Sequence, residues 1–466
     1  MSLFKTVMGR IAKVLPEVRK PIRKPSMTER LIWTGIALGV FLVMTQIPLF
    51  GAGKLGADPL AYSRVIFASA QGTLMELGIG PIVTAGLIMQ LLKGSDIIKF
   101  DFTKPEEKAL FTSSTKFLTI IVAFAEAAAF IGAGFYGPNL QNSVAIIILL
   151  QLFGSTVLVM MLDEMIQKGW GIGSGISLFI LAGVTKEVLW SLFSPLNPDG
   201  DFFGIIPYTI DAALNGNILD AVTRAAPFPN LITLGLTAMV IAIIIYVEGM
   251  KIEIPITSTR FKGFSGTYPI KLLYPSVIPV ILASALLANI TFMTQFLYAR
   301  ARDFPFLEIF GRFDPAQPGV PIGGIIYYIS SPGRYDVALA DPIRVVTFVA
   351  FLTLACVLFA KIWVSVGGLS PEAAAKSLID AKVQVPGFRN SNVTVTAILK
   401  KYIPAVTVIG GLIIGLLASL SDILGIFGSG TGVLLMVSIT LQYYQTLMRE
   451  HIETVMPKLG AILGRS

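Results

Sequence analysis

Seven stretches of this chain, 31–49, 112–134, 144–165, 230–248, 345–365, 402–420 and 432–448, each run for 17 to 23 residues with few or no charges. A helix needs about 20 apolar residues to cross a bilayer, and only helices and closed barrels satisfy their backbones there. Runs such as "TLGLTAMVIAIIIYV" do not alternate, which excludes a β-barrel. Three less regular stretches, 76–92, 174–193 and 273–297, bring the expected number of spans to ten. The charged fraction, 14%, is well under the roughly 25% of a soluble domain. The expectation is an all-α multi-span membrane protein.

Orientation follows from where the basic residues fall. With ten spans and the N-terminus inside, the inner segments carry 27 of the 36 lysines and arginines, so both termini are expected in the cytoplasm. The net charge of +8 then reflects membrane topology before any nucleic-acid role. No cleavable leader is expected, because the first apolar run is too long for one. Residues 1–30 place Phe4, Met8, Ile11 and Leu15 at helical spacing among basic neighbours, the pattern of a surface-lying amphipathic segment. Spans one to five occupy 31–193, a linker 194–229 follows outside, spans six to ten occupy 230–453, and 454–466 is a tail. Five plus five permits inverted pseudo-symmetric halves, although sequence similarity between them is weak. The inner loops 249–272 and 366–400 are too long to be mere connectors. Their exposed arginines and β-branched strips read as hairpins that offer a docking surface to an anionic partner, RNA or an acidic protein face.

One span is broken. In "GTLMELGIGPIVTAGLIMQLL" (72–92) a glutamate, glycines and Pro81 crowd the first half. The preceding "PLAYSRVIFASAQG" is helix-capable but too short to cross, and Arg64 is costly in lipid. This reads as a re-entrant segment shielded by protein, with Gly72, Gly78, Gly80 and Pro81 permitting a turn and a fresh helix start. Glycine clusters at 170–183 and 427–437 lack a full phosphate-loop fingerprint and fit close helix packing equally well, as do the pairs Gly35/Gly39 and Gly411/Gly415.

Catalytic chemistry is poorly represented. The single histidine, His451, cannot form a multi-histidine metal site, the single Cys356 allows no internal disulfide, and no metal or cofactor motif occurs. Glu126 is the clearest mid-span carboxylate; Asp163, Glu164 and Glu248 lie near span ends. Neither Asn289 in "NIT", within a span, nor Asn392 in "NVT", in a cytoplasmic loop, is expected to be glycosylated. An enzyme is not expected; a pore or carrier remains.

Four segments, "ELGIGPIVTAGLIMQLLKGS", "WGIGSGISLFILAG", "YPIKLLYPSVIPVILAS" and "PGFR", together resemble the SecY family, the central subunits of protein-conducting translocons, with wording closest to archaeal members. The resemblance implies ten helices in two five-helix halves around a central pore, closed by a short re-entrant plug helix. The plug would span about 58–71: Asp58, Pro59, Leu60, Ala61, Tyr62, Ser63, Arg64, Val65, Ile66, Phe67, Ala68, Ser69, Ala70 and Gln71. An aliphatic waist would consist of Ile79, Val83, Ile176, Ile180, Ile281 and Leu435. A lateral gate would use Thr84, Glu126 and Asn289, with Gln90 one to two turns on. Ribosome docking, including ribosomal RNA, would fall to Arg260 and Arg389, with Lys262, Lys400 and Lys401 adding attraction. Implied partners are a SecE-like gamma subunit, a small beta subunit, signal peptides, nascent chains and membrane lipids, in the cell membrane. The competing reading is a secondary transporter with discontinuous helices, which would need a polar midplane site where these aliphatic residues stand.

Overall fold

The computed structural model describes residues 8–10, 15–23, 25–52, 61–95, 97–98, 100, 102, 104–137, 140–195, 202–224, 228–258, 265–300, 306–314, 320–380, 383–384 and 392–455. Helix α1 (Met27–Met44) opens on a capping box, in which Ser26 Oγ accepts from Glu29 N–H while the Glu29 carboxylate accepts from Ser26 N–H, satisfying two end donors reciprocally. It therefore starts earlier than the apolar run alone indicates. There follow α2 (Ala61–Phe67), α3 (Gly80–Gly94), α4 (Pro105–Gly132), α5 (Asn142–Met165, continued by a π turn to Trp170) and α6 (Gly175–Phe193). Two short helices, α7 (Ile205–Leu214) and α8 (Ile218–Thr223), lead to α9 (Leu231–Gly249), which starts on a second capping box between Asn230 and Thr233. Beyond it lie strands β1 (Lys251–Ser258) and β2 (Ser265–Lys271), α10 (Ile278–Arg300), α11 (Leu307–Phe310), β3 (Arg312–Phe313), β4 (Pro321–Gly323), α12 (Ile325–Ile329) and α13 (Tyr335–Ala340). The chain continues through α14 (Pro342–Val366), α15 (Pro371–Asp380), β5 (Val383–Gln384), α16 (Asn392–Leu424) and α17 (Gly430–Val455).

Among the described residues, eight helices are long and apolar enough to cross a membrane: α1, α4, α5, α6, α9, α10, α14 and α16. The other two expected spans are helices of a different kind. α3 has 15 residues, about 22 Å at 1.5 Å per residue, short of a hydrocarbon core of about 30 Å. α17 has 26 residues, but its second half is polar, with Gln442, Gln445, Arg449 and Glu450.

The long loops expected as two hairpins form one sheet instead. β1 pairs antiparallel with β2 from Lys251↔Lys271 to Thr257↔Ser265, and β5 pairs with the far end of β1 at Thr257↔Gln384 and Ser258↔Val383. Among the described residues, only 249–272 pairs two of its own strands. Residues 366–400 supply the helix α15 and one short edge strand, and α16 begins ten residues before the expected span. Ile270, Ala375, Leu378, Leu399 and Ile403 form a small apolar core beneath this sheet, so both loops share one body. Of the expected N-terminal amphipathic helix, 8–10 are helical, while Phe4 and Ile11 lie outside the described residues.

The glycine pairs divide. Gly415 is so close to α14 that a Cβ would stand 2.6 Å from Thr353 Cα, and one at Gly411 would stand 3.0 Å from Val357 Cα. These two are packing glycines. Gly35 and Gly39 face nothing within 4 Å, so among the described residues the first pair packs against no helix.

Candidate functional site

The broken span is a junction. The chain leaves α1, passes through α2, and returns beside the end of α1, where Leu49 N–H donates to the Gly72 carbonyl at 2.9 Å and Leu74 N–H to Ile47 at 3.0 Å. α2 ends at Ala68, whose φ is +49. Gly78 has φ +56, and a side chain there would run into the Phe67 carbonyl; only glycine fits both demands. Ile79 then caps α3, donating its N–H to Phe67 O at 2.8 Å, with Pro81 pre-set for the first turn.

α2 occupies the place of the expected plug. Ala61 through Phe67 are helical, Ala68, Ser69, Ala70 and Gln71 form the return, and Asp58, Pro59 and Leu60 lie outside the described residues. The helix packs against α6, α10 and α17. Val65, Ile66, Phe67 and Ala68 are buried, and Gly432 makes the seat, since a Cβ there would meet Val65 Cγ1 at 2.8 Å. Arg64 pairs with Glu76 at 2.6 Å with both side chains at or below 10% exposure, and Glu76 also accepts from Gly72 N–H. Glu76 was not singled out from sequence. Its signal was available: an arginine this costly in lipid requires a carboxylate, and the broken span contains one. Behind α2 opens a cavity of about 900 Å³, lined by Val65, Ile66, Arg224, Arg344 and Asp422 among others.

The expected waist residues converge from four helices. Ile79 and Val83 at the start of α3, Ile180 on α6, Ile281 on α10 and Leu435 on α17 are all buried, and all belong to one continuous apolar cluster that includes Val65–Ala68 of α2. Ile176 is half-buried and packs against the same cluster. The residues are aliphatic, so the cluster can pack against a neighbouring chain but offers an ion no ligand.

At the contact of α3 with α10, Asn289 Nδ2 donates to Thr84 Oγ1 at 3.0 Å. Glu126 on α4 is half-buried and lies beside Thr84. Three of the four expected gate residues therefore meet. Gln90 Oε1 is buried without a hydrogen-bond partner among the described residues.

Of the expected docking residues, Arg260, Lys262 and Arg389 lie outside the described residues. Lys400 and Lys401 are exposed, but on the first turns of α16 and not in a loop. Lys400 is paired with Glu372 of α15 at 3.0 Å, and this hydrogen bond holds the Glu372 carboxyl below the usual carboxylate range. Among the described residues no group of three or more His, Cys, Asp or Glu is placed to hold a metal ion.

Comparison with known proteins gives a consistent result. The SecY family model matches residues 73–444, and the model for the plug domain of Sec61p matches 40–72. The chain is 39% identical over 464 residues to a protein transport protein Sec61 subunit alpha of Dictyostelium discoideum, covering 97% of each sequence. A solved structure of a protein-conducting channel superposes with a TM-score of 0.83 at 37% identity, over 96% of this chain and 98% of that one. Sec61 in a canine ribosome–channel complex from the endoplasmic reticulum superposes at 0.80, again with 37% identity and the same coverage.

Proposed function

This chain belongs to the SecY family of protein-conducting channel subunits, and from that premise we propose how its parts divide the work. It is a non-catalytic translocon subunit through which polypeptides cross a membrane. In our reading the substrate is an unfolded secretory chain, and transmembrane segments leave sideways into lipid. The observation that carries this is the gathering of Ile79, Val83, Ile180, Ile281 and Leu435 with the α2 residues in one continuous apolar cluster. A polar midplane site, which a secondary transporter needs, is not what these positions supply.

An aliphatic collar excludes water by dewetting and offers an ion no foothold, yet it deforms around a chain of any sequence. α2 seals it in the shut state. Each of Val65, Ile66 and Phe67 gains about 1.5–3 kcal/mol from burial, whereas a buried ion pair such as Arg64–Glu76 is about neutral against well-packed apolar replacements. The apolar seat therefore holds the plug and the ion pair sets its register. The seam is weaker: one neutral hydrogen bond such as Asn289–Thr84 contributes on the order of 1 kcal/mol. A signal sequence entering between α3 and α10 therefore has little polar bonding to offset there.

We place ten spans in two five-helix halves, with α3 and α17 completing the eight apolar helices, and both termini in the cytoplasm of a cell membrane. The long outer stretch 300–341 supports an archaeal-type layout. Partners in this reading are a SecE-like gamma subunit, a small beta subunit, signal peptides, nascent chains and lipids. The ribosome docks on the β1–β2–β5 body; the canine relative's complex with a ribosome and the basic residues Arg260, Lys262, Arg389 and Lys401 support this, since arginine suits phosphate contacts. Ribosome affinity at fixed salt is expected to fall in Arg260→Glu and Arg389→Glu; unchanged affinity removes the docking assignment. For the collar itself, Ile79→Asn with Val83→Asn is expected to raise the resting ion conductance of the reconstituted channel, and unchanged conductance contradicts it.

A further inference from the structure

The chain builds one joint twice. Where α5 meets α6, Asp163 Oδ1 accepts from Ile176 N–H at 3.0 Å and Oδ2 accepts from Gln167 Nε2 at 2.7 Å. Where α16 meets α17, Asp422 Oδ1 accepts from Thr431 N–H at 3.0 Å and Oδ2 accepts from Thr431 Oγ1 at 2.7 Å. Ile176 and Thr431 are each the second residue of their helix. Each joint carries Gly-Ser-Gly, 173–175 and 428–430. The first glycine turns the chain with φ +74 in one and +70 in the other. The second opens the helix against the aspartate: a Cβ at Gly175 would stand 2.6 Å from Asp163 Cα, and one at Gly430 would collide with the Ser421–Asp422 backbone. By chain direction the two joints lie at opposite ends of the bundle, as inverted halves of five spans require.

The helices begun here are those that carry Ile176 and Ile180 on one side of the collar and Leu435 on the other. The first N–H groups of a helix have no partner within it, and away from water an unmet donor is costly. A carboxylate from the preceding helix meets that need with a charge-assisted bond, and it fixes the tilt of the first turn more tightly than packing alone. We propose that Asp163 and Asp422 are positioning residues that pin the two collar helices to the helices before them, so that each half moves as a unit and the collar stays aimed when the halves separate. This rests on the collar reading above. The joints are not equally guarded. Ser429 Oγ also accepts from Gly432 N–H at 3.0 Å, whereas the Ser174 side chain caps nothing, so the first joint depends more on its aspartate.

The test is resting ion conductance per assembled channel, in the complete reconstituted complex, for Asp163→Leu, Asp422→Leu and the two Asn counterparts, with Ile79→Asn/Val83→Asn as control. Loss of a capping acceptor predicts a leak raised on the order of tenfold in Asp163→Leu, and less in Asp422→Leu. The asparagine variants, which keep an accepting oxygen, are expected to stay near the parental level; a merely structural role would lower channel yield without this split. Parental conductance in both leucine variants, with a leaking control, overturns the proposal. If the control does not leak, the collar reading fails and the inference falls with it. Where the leucine variants do not assemble, Gly175→Ala, which pries the same joint by one methyl group, must leak, and parental conductance there is equally decisive against it.

Discussion

Arg64 and Glu76 separate two roles that are easily confused, holding and aligning. Breaking a buried pair by removing one member costs about 3–5 kcal/mol, whereas replacing both by well-packed apolar residues is about neutral. Glu76→Leu alone is therefore expected to unseat α2 and raise resting conductance, while Arg64→Met combined with Glu76→Leu returns conductance close to the parental level. If the double variant leaks as much as the single one, the ion pair and not the apolar seat holds the plug. The pair has no periodic relation in sequence, its members standing twelve residues apart across a turn; the cost of Arg64 in lipid was its one signal. At the surface, Glu372 and Lys400 behave differently. The carboxyl is depressed in the folded state, so its contribution is present above the ordinary value of 4.5 and is lost as pH falls through the lower folded value. An exposed pair contributes at most about 1 kcal/mol. Lys400→Ala is expected to lower the melting temperature slightly at pH 7 and not at pH 3, and a difference that persists in acid contradicts the pairing.

At the scale of elements, the apolar runs were legible and their ends were not. Eight long helices appear where hydrophobicity alone puts them. α1 extends to Met27 because the Ser26–Glu29 box, and not apolarity, sets its start. α16 extends back to Asn392 because its first turns bury one face on the sheet body and expose Lys400 and Lys401, a pattern a hydrophobic window discards. The glycine clusters could not be resolved between packing and another use, since sequence does not show what a glycine faces. The structure gives each a neighbour: Phe67 O for Gly78, Val65 for Gly432, Tyr443 for Gly173. Of these Gly432 bears most directly on the seal. Gly432→Val is expected to displace Val65, open the seat of α2 and increase crosslinking of a cysteine in α2 to an external reagent; parental accessibility contradicts the seat.

At the scale of the molecule, three of the four segments that carried the family resemblance lie where the parts meet: at the α2–α3 junction, at the start of α6 and at the entry to α10; the fourth, 386–389, lies outside the described residues. Glycine and proline were informative there because backbone geometry constrains them, whereas the collar's aliphatic residues are chemically ordinary and became distinct only by converging. The shared sheet of the two long loops was not legible, because a two-residue edge strand carries no periodic signal. The account makes the collar the path of the polypeptide. Crosslinking of a stalled nascent secretory chain to probes placed at residues 79, 83 and 281 tests this most directly: the account predicts adducts at all three positions from one translocating chain, and a chain that crosses the membrane without contacting any of them contradicts it.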